Sequence, residues 1–173
     1  PVILKSLRDK DVDITAIVTA ADDGGSSGEI RQALQVTPPG DLRNVLLAMS
    51  DMPKLYEQIF QYRFAESDGA LAGHPLGNLL IAGISEMQGS TYNAMQLLTK
   101  FFHTTGKIYP SSDNPLTLHA VFTDGHEVAG ESKIAGYKGM IDHVYVTNSY
   151  NEDEPTASRK VVTAIMESDM IVL

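Results

Sequence analysis

Residues 14–28 read ITAIVTAADDGGSSG, and this stretch decides the fold. Residues 14–19 are a β-branched, nearly all-apolar run, as expected of a parallel strand covered on both faces. The run stops at Ala20-Ala21 and passes into DDGGSSG (22–28), with a short helix expected over about 28–35. A strand, a glycine turn and a helix in that order point backbone N–H groups and a helix N-terminus at an anion. Gly24, Gly25 and Gly28 permit positive φ and close approach. Residues 22–28 are therefore expected to form one wall of an anionic-ligand pocket at the carboxyl edge of a parallel sheet.

Two aspartates complicate a bare phosphate turn, because carboxylates repel phosphate. Asp22 and Asp23 make sense as holders of Mg²⁺, of a ribose hydroxyl or of a ligand amide. Ser26, followed by Ser27, stands three residues before Glu29, the spacing of a capping box, so a purely structural role is open to it. Arg31 is expected in the first turn of the following helix, and Arg43 in the first turn of a helix capped by Asp41. A cation at a helix N-terminus opposes the dipole by some tenths of a kcal/mol. Two such misfits point to an anion that both arginines serve; the alternative is an ion pair of Arg43 with Asp23 or Asp41. In Gly73-His74-Pro75-Leu76-Gly77-Asn78, proline suits a first helical turn. His74 and Asn78, four apart, share a face, and Gly77 leaves it open to a close neighbour. A ligand-facing role and a capping His with a packing Gly both fit.

Beyond the loop, Leu42, Val45, Leu46 and Met49 form one helical stripe behind the break at Pro38-Pro39-Gly40. Leu55, Ile59 and Phe60 indicate a helix to about residue 63, and 65–73 a loop. Leu76, Leu79, Leu80, Ile84 and Met87 define a further helix; another spans 92–104, with Met95, Leu98 and Phe102 inward. The period then changes to alternation at Leu116, Leu118, Ala120 and Phe122. Asp124-Gly125 signals a two-residue hairpin turn, with 127–129 returning. Residues 142–146 read as a strand and 157–167 as a helix. The architecture expected is α/β, a mainly parallel, helix-flanked sheet with a β-hairpin excursion. The other histidines lack metal-ligand spacing, and no G-x-S-x-G, H-E-x-x-H or Walker motif occurs.

With 43% hydrophobic residues among 173, the chain can bury a core. No apolar run approaches the roughly 18–20 residues that cross a bilayer, which argues against a membrane partner. Cysteine is absent, so no disulfide or thiolate metal site forms, which fits a reducing cytoplasm. The formal charge of −9, with no basic block, argues against nucleic acid. Pro1-Val2-Ile3-Leu4 reads as a helix under way and Met170-Ile171-Val172-Leu173 as a buried strand. Residues 1–173 are thus expected to be one domain, incomplete at both ends and part of a longer protein.

Taken together, ITAIVTAADDGGSSGEIR (14–31), PPGDLRNVLLAMSD (38–51), YRF (62–64), LAGHPLGNLLIAGI (71–84) and MESDMIVL (166–173) closely resemble the bacterial gluconeogenesis factor family (YvcK type). That family lies within the 2-phospho-L-lactate transferase (CofD-like) superfamily. The resemblance implies a Rossmann-like three-layer, cytoplasmic protein that binds a nucleotide sugar, UDP-N-acetylglucosamine, and supports cell shape during gluconeogenic growth. It implies a regulator acting through protein partners, with a homodimer compatible, rather than an established enzyme. The alternative it carries is a Mg²⁺-dependent 2-phospho-L-lactate transferase-like enzyme. The transferase branch, however, has bulky and His residues where this chain has Gly24-Gly25-Ser26-Ser27. Members also carry a GGGTGL-type loop before the position of Pro1 and a GPGS-type loop after that of Leu173. The candidate binding set is Asp22, Asp23, Gly24, Gly25, Ser26, Ser27, Arg31, Asp41, Arg43, Asn44, His74 and Asn78, with Asp22 and Asp23 as the Mg²⁺ ligands.

Overall fold

In the computed structural model, which describes residues 2–173, strand β1 (Thr15–Val18) pairs in parallel with β2 (Lys107–Pro110), in register from Thr15↔Lys107 to Val18↔Pro110. Pro1, the first residue of the expected opening helix, lies outside the described residues; helix α1 (Val2–Arg8) follows it. Ala16 and Val18 are buried, but Ile17 is 38% exposed, so β1 is covered on one face and open on the other. β2 is not apparent from the sequence: KIYP is too short for a period and ends on proline.

Between β1 and β2 runs a crossover of five helices: α2 (Gly25–Leu34), α3 (Pro39–Met49), α4 (Lys54–Gln61), α5 (Leu76–Gln88) and α6 (Thr91–Phe101). The expected α3 stripe packs inward. Leu42, Leu46 and Met49 are fully buried, beside Ile81 of α5, Met95 and Leu98 of α6 and Ile108 of β2. Phe60 at the end of α4 meets Phe102 edge-on at 4.6 Å. Each such aliphatic side chain contributes about 1.5–3 kcal/mol relative to exposure. This core fixes α3 and α5 beside the end of β1. A three-residue 3₁₀ turn (Gly69–Leu71) interrupts the loop expected over 65–73.

The chain then builds an antiparallel sheet in the order β4-β3-β5: β3 (Leu116–Phe122), β4 (Glu127–Ala129) and β5 (Ile141–Asn148). The expected hairpin forms, through a three-residue loop rather than a two-residue one; Gly125 takes φ +86° and His126 O accepts the Phe122 N–H at 2.8 Å. A short helix not expected from sequence, α7 (Glu131–Gly136), links β4 to β5. Helix α8 (Arg159–Met166) is capped by Ser158, whose hydroxyl accepts from the Val161 N–H. The strand expected at Met170–Leu173 does not form. Those side chains are exposed, and the segment joins neither sheet. The whole is a Rossmann-like α/β fold, with a parallel pair flanked by helices and an antiparallel excursion.

Candidate anion-binding site

Where β1 ends, three helix starts share a 260 Å³ cavity. The loop and the start of α2 supply Asp22, Gly24, Gly25, Ser26 and Ser27; α3 supplies Gly40, Asp41, Arg43 and Asn44. Arg63 follows α4, and Pro75 and Asn78 stand at the start of α5. The flanking residues Gly24, Pro38 and Pro75 provide no side-chain cap to α2, α3 or α5. By contrast, α6 is capped by Ser90 and α8 by Ser158 (α4, behind Pro53, is uncapped as well). At α5 the first N–H already goes to Tyr62 O, 2.8 Å away. The amides opening α2 and α3 are the ones left for a ligand.

Glycines allow the close packing. A Cβ on Gly28 would lie 2.1 Å from the Asp23 carbonyl oxygen, and one on Gly40 2.2 Å from Ser27 Oγ. One on Gly77 would come within 2.9 Å of Arg43 Cδ, so Gly77 makes room for the arginine, the open face its position suggested. Helix α2 begins at Gly25 rather than Gly28, which overturns the capping box: Ser26 is inside the helix and does not cap it. Asp41 likewise does not cap α3. Pro39 and Gly40 are already helical, and Asp41 sits in the first turn.

The charges fall into two groups. Arg43 Nη2 donates to Asn44 Oδ1 at 3.1 Å, while its Nε is buried without a partner. Burial, and next the neighbouring charge of Arg63, push the Arg43 pKa down. Among the described residues neither arginine forms an ion pair, so the pairing of Arg43 with Asp23 or Asp41 is not made. On the acidic side, Asp22 Oδ1 accepts the Gly24 N–H at 2.9 Å. Burial and then the Asp22 charge raise the Asp41 pKa. Partial desolvation, followed by Asp22, Asp23 and Asp41, raises that of Glu131.

Arg31 is elsewhere. It lies in the last turn of α2, buried, donating to Ala21 O at 3.3 Å, Asp22 O at 3.1 Å, Thr117 Oγ1 at 3.2 Å and Ser149 Oγ. It ties the loop to β3 and the segment after β5 and does not face the cavity. Asp23 Oδ1 accepts the Ser132 N–H at 2.9 Å and so caps α7. Among the described residues no group of three or more His, Asp or Glu stands in a metal-binding arrangement. His74 stands behind the wall: its Nδ1 is 2.8 Å from Ser26 Oγ and its Nε2 3.3 Å from Glu29 Oε2. Asn78 Nδ2 donates to the same Oγ at 3.1 Å, so His74 and Asn78 do share a face, and that face meets Ser26. Arg63, Gly40, Pro75 and Glu131 were not expected. Arg63, Gly40 and Pro75 lie in the YRF, PPGDLR and LAGHPLGN stretches, whereas Glu131 carried no signal.

Open helix starts and two arginines without ion pairs thus surround one polar cavity of a Rossmann-like fold, an arrangement that suits an anion. The profile of the family described as "2-phospho-L-lactate transferase CofD" matches residues 1–173, and the chain belongs to that family. A Streptococcus pyogenes serotype M3 protein, provisionally named a gluconeogenesis factor, is 81% identical over 172 residues, 99% of this chain and 53% of its own length. The "Gluconeogenesis factor" of Listeria monocytogenes serovar 1/2a is 46% identical over 173 residues, 100% of this chain and 52% of its own. A crystal structure of a Bacillus halodurans protein superposes with a TM-score of 0.91 at 42% identity, covering 97% of this chain and 52% of that one. The chain thus spans about half the length of the curated relatives it matches. No helix of the described residues is long and apolar enough to cross a membrane.

Proposed function

We propose that the protein is a nucleotide-sugar-binding regulator of the gluconeogenesis factor type, cytoplasmic, with UDP-N-acetylglucosamine as ligand and cell shape under gluconeogenic growth as its output. The observation that carries this reading is the two-sided charge of one cavity. Arg43, Arg63 and the open starts of α2 and α3 suit a diphosphate, and Asp22 with Asp41 suits the hydroxyls of a ribose or sugar. A bare phosphate would not need the carboxylates, and a neutral sugar would not need the arginines. The name of the Listeria relative, a gluconeogenesis factor, supports the gluconeogenic part. At 260 Å³ the cavity is smaller than the roughly 300–1,000 Å³ of whole-ligand pockets, so these residues hold a portion of the ligand.

Calorimetric titration of the full-length protein tests the reading. UDP-N-acetylglucosamine should bind more tightly than UDP or pyrophosphate, without turnover, and Arg63→Ala should weaken it by about tenfold or more, some 1.4 kcal/mol. Unchanged affinity in Arg63→Ala, or no binding, sinks it. The second reading, a Mg²⁺-dependent transferase, draws on the family's description and would win if a phosphorylated donor were consumed only with Mg²⁺.

A further inference from the structure

The segment after β5 is held at its base and loaded with acid at its tip. Ser149 donates its N–H to Pro115 O at 2.9 Å, and Tyr150 donates its hydroxyl to Arg31 O at 3.0 Å. Beyond them Asn151-Glu152-Asp153-Glu154-Pro155 turns on itself, the Asp153 N–H donating to Asn151 Oδ1 at 3.2 Å. This loop, with Thr147 and Asn148 of β5, lines a cavity of 480 Å³. That is within the roughly 300–1,000 Å³ of whole-ligand pockets. Among the described residues, none of Glu152, Asp153 and Glu154 forms an ion pair.

An acidic loop alone is usually a solvated one. Asn148 distinguishes this one, because it lines the same cavity and is only 8% exposed. Its Nδ2 donates to the Asp153 backbone oxygen at 2.7 Å, which fixes the amide: turned over, it would set two oxygens face to face. Oδ1 is thereby an acceptor, buried and without a donor. Leaving it so costs free energy that a ligand's N–H would recover.

We propose that this cavity binds a guanidinium group. Its occupant is a donor, for Asn148, and a cation, for the loop. Glu152, Asp153 and Glu154 do not converge as the ligands of one metal ion. An ammonium concentrates its charge on one strongly hydrated nitrogen, whereas a guanidinium spreads five N–H donors over a plane and sheds water more readily. It can give one N–H to Asn148 Oδ1 and others to the loop carboxylates, with its methylene stem along Pro155. Two sources carry the group, an arginine side chain on a protein partner and a small guanidino solute.

Titration of the isotope-labelled full-length protein with N-acetyl-arginine N-methylamide, followed by amide NMR, tests this. The Asn148 side-chain amide and the backbone amides of 151–154 should shift together. The citrulline counterpart, neutral and of nearly the same shape, should bind at least about tenfold more weakly. Glu152 and Glu154 are exposed, so the double variant Glu152→Gln, Glu154→Gln keeps the fold and should weaken the arginine derivative about tenfold. Free arginine identifies the source. Binding at least as tight as that of the blocked form points to a solute; weaker binding, its own carboxylate meeting an acidic loop, points to a protein side chain. A citrulline derivative that binds as well, a lysine derivative that binds more tightly, unchanged affinity in the double variant, or shifts that spare Asn148 overturn the proposal.

Discussion

Arg43 is half-buried, its Nε has no partner, and Arg63's charge pushes its pKa down after burial does. A residue kept in that state serves something other than the fold. Replacing an uncompensated, partly buried charge with an apolar side chain of similar length usually helps stability. Arg43→Met should therefore raise unfolding free energy in urea by about 1 kcal/mol while weakening UDP-N-acetylglucosamine binding about tenfold. Lower stability with unchanged affinity would make Arg43 a packing residue instead. Asp41 has the opposite charge and the same predicament. Burial, then Asp22, raise its folded pKa above the unfolded value. Within the window between those two values the folded chain binds more protons than the unfolded one, so stability falls as pH rises through it. Above the window the cost is constant; below it, absent. Asp41→Asn should thus raise Tm at pH 7, and the gap should close as pH falls through the carboxylate range. Thermal denaturation across that range checks it, and a gap that widens in acid refutes the burial account.

At the scale of elements, the glycines separate contacts that position the site from contacts that do not. Gly28→Ala puts a Cβ 2.1 Å from a backbone oxygen, that of Asp23, which cannot rotate away as a side chain would. The start of α2 must shift, at a cost above about 2 kcal/mol, and nucleotide binding should fall with it. Gly83, exposed within α5, meets nothing within 4 Å, so Gly83→Ala should instead stabilise by about 0.5–1 kcal/mol. Urea titrations of the two variants should move in opposite directions. The same contrast explains what could be read beforehand. The stripe Leu42, Leu46, Met49 and the turn at Asp124-Gly125 are local patterns, and both elements appear where expected. Helix α7 escaped notice because one of its caps is Asp23, 109 residues upstream. Arg31 was legible as a cation near the loop. Its partners Thr117 and Ser149 lie 86 and 118 residues away, and only the folded chain brings them to its guanidinium. The loop 22–28 carried its own turn and helix signals, whereas Arg63 reaches the cavity only because Gly77 and Phe60 pack α4 against α5.

Across the whole molecule, the order β4-β3-β5 leaves one edge of β5 without a partner strand among the described residues. Val144 and Val146 are 54% and 39% exposed on that strand, paired across from Ala120 and Leu118. Natural sheets guard such edges with charge, proline or a covering element, because an open edge templates pairing with another chain. Asp142 and His143 charge one end of β5, but the segment 144–147 (VYVT) has no charge at all. This 173-residue chain on its own should therefore self-associate through β5. The net charge of −9 opposes that contact, so added salt should strengthen association by screening the repulsion, whereas an ion-paired interface would weaken. Val144→Lys should abolish it while leaving the far-UV circular dichroism unchanged, since the side chain stands in solvent. Sedimentation velocity at low and high salt measures both effects. A wild-type chain that stays monomeric in high salt, or a Val144→Lys variant that associates as the wild type does, places the apolar edge outside any contact between copies.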